Sequence, residues 1–195
     1  MARPNLKSER RSQIIDACEI CFARYGVEGT TLDRVAEEAG LARPLIRHNV
    51  GNRDELIAAT VERFIERSDD AMRRTIDALP GDNRIKTLID WLFDPAMSDS
   101  GFTRVSDALT TAAANDPALA RTMRDWTRRF VSTLAEVIDE TCPGIDAQES
   151  NAVAAGMTAA YFMTESVSTM GPMTDIRSAC KEAAIRLADT LPVSR

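Results

Sequence analysis

The segment Thr30–Val50 constrains this chain more than any other part of it. Leu32, Val35, Ala36 and Ala39 recur at helical spacing and fall on one face. Thr30 or Thr31 stands just before them, where a hydroxyl accepts an orphan backbone N–H and starts a helix. Gly40 follows the last apolar position, where glycine takes the left-handed turn that ends a helix without a Cβ penalty. Leu41 then turns back toward the core. The next short stretch has only a narrow apolar stripe, Leu41, Ile46 and Val50, while Arg43, Arg47, His48 and Asn49 crowd its other side. Two short helices joined at a glycine read as a helix-turn-helix over about residues 31–50. A donor-rich outer face of this kind suits a DNA major groove better than a core.

The flanks carry the pattern further. Upstream runs Ile14-Ile15-Asp16-Ala17-Cys18-Glu19-Ile20-Cys21-Phe22-Ala23-Arg24-Tyr25-Gly26, then Gly29-Thr30-Thr31; downstream runs Gly51-Asn52-Arg53-Asp54-Glu55-Leu56-Ile57. In order and spacing, residues 10–57 resemble the TetR family of bacterial transcriptional regulators. There a first helix ends in an aromatic and a glycine, a Thr-Thr pair opens the second, and a Lys-Glu-x-Leu element opens the fourth. The resemblance implies an all-α chain of about nine helices: a three-helix DNA-binding domain over 1–52 and a helical ligand-binding and dimerisation domain over 53–195. It implies contacts to bases or phosphates from Thr31, Arg43, Pro44, Leu45, Arg47, His48, Asn49 and Arg53.

Three positions depart from the family pattern. Ala42 stands where a capping Ser or Thr is usual, a loss of about 1 kcal/mol by the general rule. Pro44 is tolerated in the first helical turn. Arg47 replaces the usual Tyr and Val50 the usual Phe. Arg47 still suits a phosphate or a guanine edge, so binding carries over in kind while the preferred DNA sequence does not.

Net charge first argues against a nucleic-acid partner, being −6 over 195 residues. Its distribution removes most of that objection, because residues 1–60 carry equal numbers of acidic and basic groups and the excess lies beyond them. Arg3, Lys7, Arg10 and Arg11, against Glu9, form a basic arm that reads equally as a backbone-tracking segment or a solvated terminus. No apolar run reaches the roughly 20 residues of a membrane span, and no apolar stretch follows the arm as in a signal peptide. The expected location is therefore the cytoplasm, with no membrane partner.

Cys18-x-x-Cys21 spells a metal or redox pair. On a helix, however, both thiols share the apolar face with Ile14 and Tyr25, and the only histidine, His48, lies in the proposed reading helix. Core packing is the favoured reading, and no metal or other cofactor is expected.

Helical patterns fill the remainder: 53–79 stopped by Pro80-Gly81, then 84–93, 103–114, 116–141, 146–169 and 174–191. The last two are rich in small residues. Ala152, Val153, Ala155, Gly156, Ala159, Ala160 and Met163 line one; Ile176, Cys180, Ala183, Ala184, Leu187, Ala188 and Leu191 line the other. Their apolar surface is wider than one neighbour needs, which fits a homodimer through 146–191, as the family resemblance also implies. Trp91, Phe102, Met123, Trp126, Phe130 and Tyr161, with Met97, Met157 and Phe162, are the candidate lining of a site for a small apolar ligand, and Glu165 is its candidate polar anchor. The function expected is a dimeric repressor that binds a double-stranded operator and is released by a small molecule. The alternative is a helical sensor or adaptor that has lost DNA binding. An all-α enzyme has no acid–base or metal constellation to support it.

Overall fold

A computed structural model describes residues 6–192, and the described residues are helical throughout with short connections. Nine α-helices lie among them: α1 (Leu6–Gly29), α2 (Leu32–Ala39), α3 (Arg43–Val50), α4 (Arg53–Asp77), α5 (Arg84–Leu92), α6 (Ser100–Ala113), α7 (Pro117–Thr141), α8 (Ala147–Ser168) and α9 (Thr174–Ala188). A 3-10 turn, Pro95–Met97, was not foreseen; Asp94 caps it by accepting from the Ala96 N–H at 2.9 Å. No described helix is long and apolar enough to cross a membrane.

Packing divides the chain into two units, Met1–Arg67 with Arg104–Met123, and Ser68–Thr103 with Arg124–Arg195. In the first, Ile14, Ile15, Cys18, Cys21 and Phe22 of α1 are buried, as are Val35, Ala36, Ile46, Val50, Leu56 and Phe64. Full burial of the Val, Ile, Leu and Phe side chains among them contributes roughly 1.5–3 kcal/mol each, and it supplies what α2 and α3 lack on their own. Both are only eight residues long, and isolated helices that short are unstable in water. Polar ties hold α1 to α4: the Arg63 guanidinium lies 2.7 Å from Asp16 and 3.1 Å from Glu19, and Arg67 reaches Glu19 at 2.7 Å.

Helix α1 starts at Leu6, earlier than its apolar periodicity indicates, and its regular geometry breaks at Gly26. Arg3 of the basic arm lies outside the described residues, whereas Lys7 and Arg11 are exposed on the first turns of α1. Tyr25 does not join the buried cysteine face. It is 47% exposed, and the Arg34 guanidinium sits 4.4 Å above its ring.

The second unit has its own core. Leu88, Ile89 and Phe93 meet Leu134, Val137 and Ile138 of α7, Val153, Ala154 and Met157 of α8, and Ala184 of α9. Helices α8 and α9 approach closely at Gly156, where a Cβ would stand 2.6 Å from Leu187. Val153, Gly156, Ala184, Leu187 and Leu191 therefore belong to the interior of the chain instead of a free face. What remains exposed on α8 is a stripe of Ala152, Ala155, Ala159 and Met163, with Ala179 and Ala183 exposed on α9.

Candidate functional site

Backbone geometry builds the reading head. Thr31 is extended and its Oγ1 accepts from the Arg34 N–H at 3.2 Å, capping α2. At the far end Gly40 is left-handed, with φ 63°. The Leu41 N–H there reaches the Ala36 carbonyl at 2.9 Å and the Gly40 N–H reaches Glu37 at 3.1 Å, the paired closure of a Schellman turn. Gln13 of α1 donates to the Ala39 carbonyl at 2.9 Å, and Arg24 pairs with Glu38 at 2.6 Å, so the turn is also held from behind.

Helix α3 hangs from Ile46 and Val50, both buried. Arg43, Pro44, Leu45, Arg47 and His48 are exposed, Leu45 at 42%. Arg43 pairs with Asp33 at 3.1 Å, and both side chains remain more than half exposed, so a phosphate or base can compete for the guanidinium. Among the described residues Arg47 and His48 have no intramolecular polar partner. The Asn49 Nδ2 donates one hydrogen to the Leu45 carbonyl at 2.7 Å, which orients the amide along its own helix and leaves its other hydrogen and its Oδ1 unengaged. Ala42 makes no side-chain cap, in keeping with its chemistry.

Arg53 is positioned differently from a simple phosphate ligand. Its Nε donates to the Thr30 carbonyl at 2.8 Å, and its Nη2 donates to Val27 at 2.7 Å and Glu28 at 3.3 Å. These carbonyls close the end of α1 and lead into the Thr31 cap, so one side chain of α4 holds the α1–α2 junction. The start of α4 is fixed by a capping box that sequence reading missed. The Asn52 N–H donates to Glu55 at 2.7 Å, and the Glu55 N–H donates to Asn52 at 2.9 Å. The signal was present as Asn followed three residues later by Glu.

The Cys18–Cys21 pair faces the core. Burial pushes the Cys18 thiol from 9.0 up to about 12, and the Cys21 thiol is raised for the same reason. Thiolates, the reactive and ligating form, are therefore disfavoured.

In the second unit several candidate ligand residues meet. Trp126 stacks on Phe162 with centroids 5.5 Å apart, Phe130 stacks on Tyr161 at 5.8 Å, and Phe93 meets the Tyr161 edge at 6.3 Å. The Trp126 indole donates to Ser68 at 2.9 Å. Trp91 is partly buried against the core of this unit. Phe102 is half-buried in this unit, Met123 is buried in the other, and Met97 stands in solvent at 61% exposure. Glu165 is buried and accepts from Ser98 at 2.6 Å and Thr103 at 3.2 Å, with Arg177 at 3.4 Å. Burial first, and then Glu165, push the Tyr161 phenol from 10.0 up to about 12. Phe93, Ser98, Thr103 and Arg177 escaped the sequence reading because their partners lie far along the chain.

Residues 14–60 match the family described as "Bacterial regulatory proteins, tetR family", and residues 81–162 match "BetI-type transcriptional repressor, C-terminal". The chain belongs to the TetR family. It is a DNA-binding transcriptional regulator. The "HTH-type transcriptional regulator BetI" of Escherichia coli is 26% identical over 153 residues, covering 77% of this chain and 78% of that protein. Among solved structures, a transcriptional regulator from Pseudomonas aeruginosa is 21% identical with a TM-score of 0.77, covering 94% of this chain and 90% of the other. A regulator from Saccharomonospora viridis, solved in complex with choline, is 16% identical with a TM-score of 0.75, covering 96% and 100%. At those identities the two structures speak for the TetR fold alone.

Proposed function

We propose that this TetR-family chain is a dimeric repressor that places α3 of each protomer in successive major grooves of an operator and leaves it when a small molecule binds the C-terminal domain. It acts in the cytoplasm, on double-stranded DNA. Residues 1–52 read and residues 53–195 regulate and dimerise. The observation that carries this reading is the outer face of α3, where Arg43, Pro44, Leu45, Arg47 and His48 are exposed above a buried Ile46 and Val50. Arg47 and His48 offer base and phosphate contacts, Arg43 joins them by exchanging Asp33, and Leu45 presents an apolar surface to a thymine methyl. Thr31 keeps its hydroxyl hydrogen for a phosphate while its oxygen caps α2. Asn49 keeps its second Nδ2 hydrogen and its Oδ1 for DNA while the first hydrogen stays on Leu45. Arg53 acts chiefly by holding the α1–α2 junction.

The exposed stripe Ala152, Ala155, Ala159 and Met163 on α8, with Ala179 and Ala183 on α9, supports dimerisation through residues 146–191. For the effector, the support is an aromatic group beside a buried Glu165–Arg177 pair, an apolar surface with one polar end. The choline bound by the Saccharomonospora viridis regulator makes choline the first probe.

Titrating labelled DNA from upstream of the coding sequence, beside a scrambled duplex, tests the reading at two salt concentrations. Expected is tight, salt-sensitive binding to the first, with two protomers per site, weakened in Arg43→Ala and Arg47→Ala. Equal weak binding of both duplexes by a folded dimer would instead describe a sensor that has lost its operator.

A further inference from the structure

One cavity belongs neither to the reading face nor to the aromatic group. It is a groove of about 900 Å³ in the first unit, walled by α4 on one side and by the end of α6 and the start of α7 on the other. Its floor on α4 is a stripe at positions 57, 61 and 65, an isoleucine, a valine and an isoleucine one turn apart, and Leu119 of α7 faces into the same space. The volume and apolar floor are those of a site for a drug-sized molecule.

Charge identifies what such a molecule is. The groove is lined by six carboxylates and two guanidiniums, Arg11 and Arg53. Arg53 is engaged with the carbonyls of Val27, Glu28 and Thr30. Glu55 and Asp116 are engaged in helix caps. Asp54 lies 3.8 Å from Arg53. The carboxylates of Glu28, Glu62 and Glu66 have no polar partner among the described residues, and against these three stands one equally unengaged cation, Arg11. Glu62 and Glu66 stand one turn apart on α4, where like charges repel. An apolar floor under unpaired carboxylates is complementary to an apolar body that carries positive charge. A neutral amphiphile leaves the repulsion in place, and an anion adds to it.

We infer that the groove between α4 and the α6–α7 turn binds a lipophilic organic cation, with its apolar body on Ile57, Val61, Ile65 and Leu119 and its charge beside Glu62 and Glu66. The site is separate from the aromatic group of the other unit, and the inference stands whether or not the chain proves to be a ligand-released repressor.

Tetraphenylphosphonium and tetraphenylborate have nearly the same size and shape and opposite charge, so they isolate the electrostatic part. Calorimetric titration of the full chain is expected to show phosphonium binding at least tenfold tighter than borate. Glu62→Gln with Glu66→Gln should weaken the phosphonium about tenfold or more, and Ala118→Phe, which fills the groove, should abolish binding. Glu182→Gln, which removes an exposed carboxylate of the other unit, should leave it unchanged. Helical circular dichroism and a thermal midpoint no lower than that of the parent chain confirm that the Gln variants are folded. Equal affinity for the two ions, retention of phosphonium affinity in the Glu62→Gln, Glu66→Gln double variant, or an equal loss in Glu182→Gln would each overturn the assignment.

Discussion

At the scale of single residues, two arginines that look alike in the sequence separate in the structure. Arg47 is exposed and has no intramolecular polar partner among the described residues, while Arg53 is bound to three backbone carbonyls. Removing a phosphate contact lowers the slope of log affinity against log salt by about 1. Arg47→Ala is expected to weaken operator binding, either with that change in slope or, if it contacts a base, with relaxed sequence preference; unaltered affinity and preference would remove Arg47 from the interface. Arg53→Ala is expected to weaken binding with the slope unchanged and to lower the urea midpoint, because a tether is lost and not a counter-ion. A reduced slope at an unchanged midpoint would return Arg53 to the phosphates. The exposed cations of α3 were legible because an apolar stripe of two anchors leaves little doubt about which side faces out. The carbonyls that hold Arg53 were not, since they lie about 25 positions away along the chain and no periodicity links them.

At the scale of elements, the punctuation in the sequence is mostly kept. Gly40 ends α2, Pro80 follows the end of α4, and Asp116-Pro117 opens α7 with the Asp116 carboxylate accepting from the Ala118 N–H at 2.8 Å. Apolar spacing alone does not mark the start of α1, because its first two turns are largely polar and exposed and carry no stripe to find. Face assignment on α8 and α9 was harder: alanines fill both sides, so composition did not separate Val153 and Ala184, which are interior, from Ala152 and Ala183, which are exposed. Helix α3 starts without a side-chain cap, at an Ala42 already in the extended conformation a cap requires. Ala42→Ser is therefore expected to stabilise the chain by about 1 kcal/mol, read as a higher urea midpoint at unchanged slope. No gain would mean that Pro44 already sets this turn.

For the whole molecule, the buried ionisable groups set an alkaline limit. Cys18 and Tyr161 both have thiol or phenol protons held more tightly in the folded chain than in the unfolded one, each up to about 12. An unfolded chain ionises them first, near 9 and 10. Their contribution to stability is thus complete below pH 9 and is lost as pH rises toward 12. Thermal midpoints should fall progressively across that window. Tyr161→Phe should flatten the fall above pH 10, and parallel curves for the two proteins would show that Tyr161 has no part in it.

Only two tryptophans occur in the chain, and they report differently. Trp126 is 4% exposed, hydrogen-bonded to Ser68 and stacked on Phe162, whereas Trp91 is partly open to solvent. Ultraviolet emission from the first should therefore be shifted to the blue and shielded from aqueous iodide, and the second should be quenched. The regulator thus carries an intrinsic optical gauge at the aromatic group, able to follow occupancy by any colourless effector without a dye or a label.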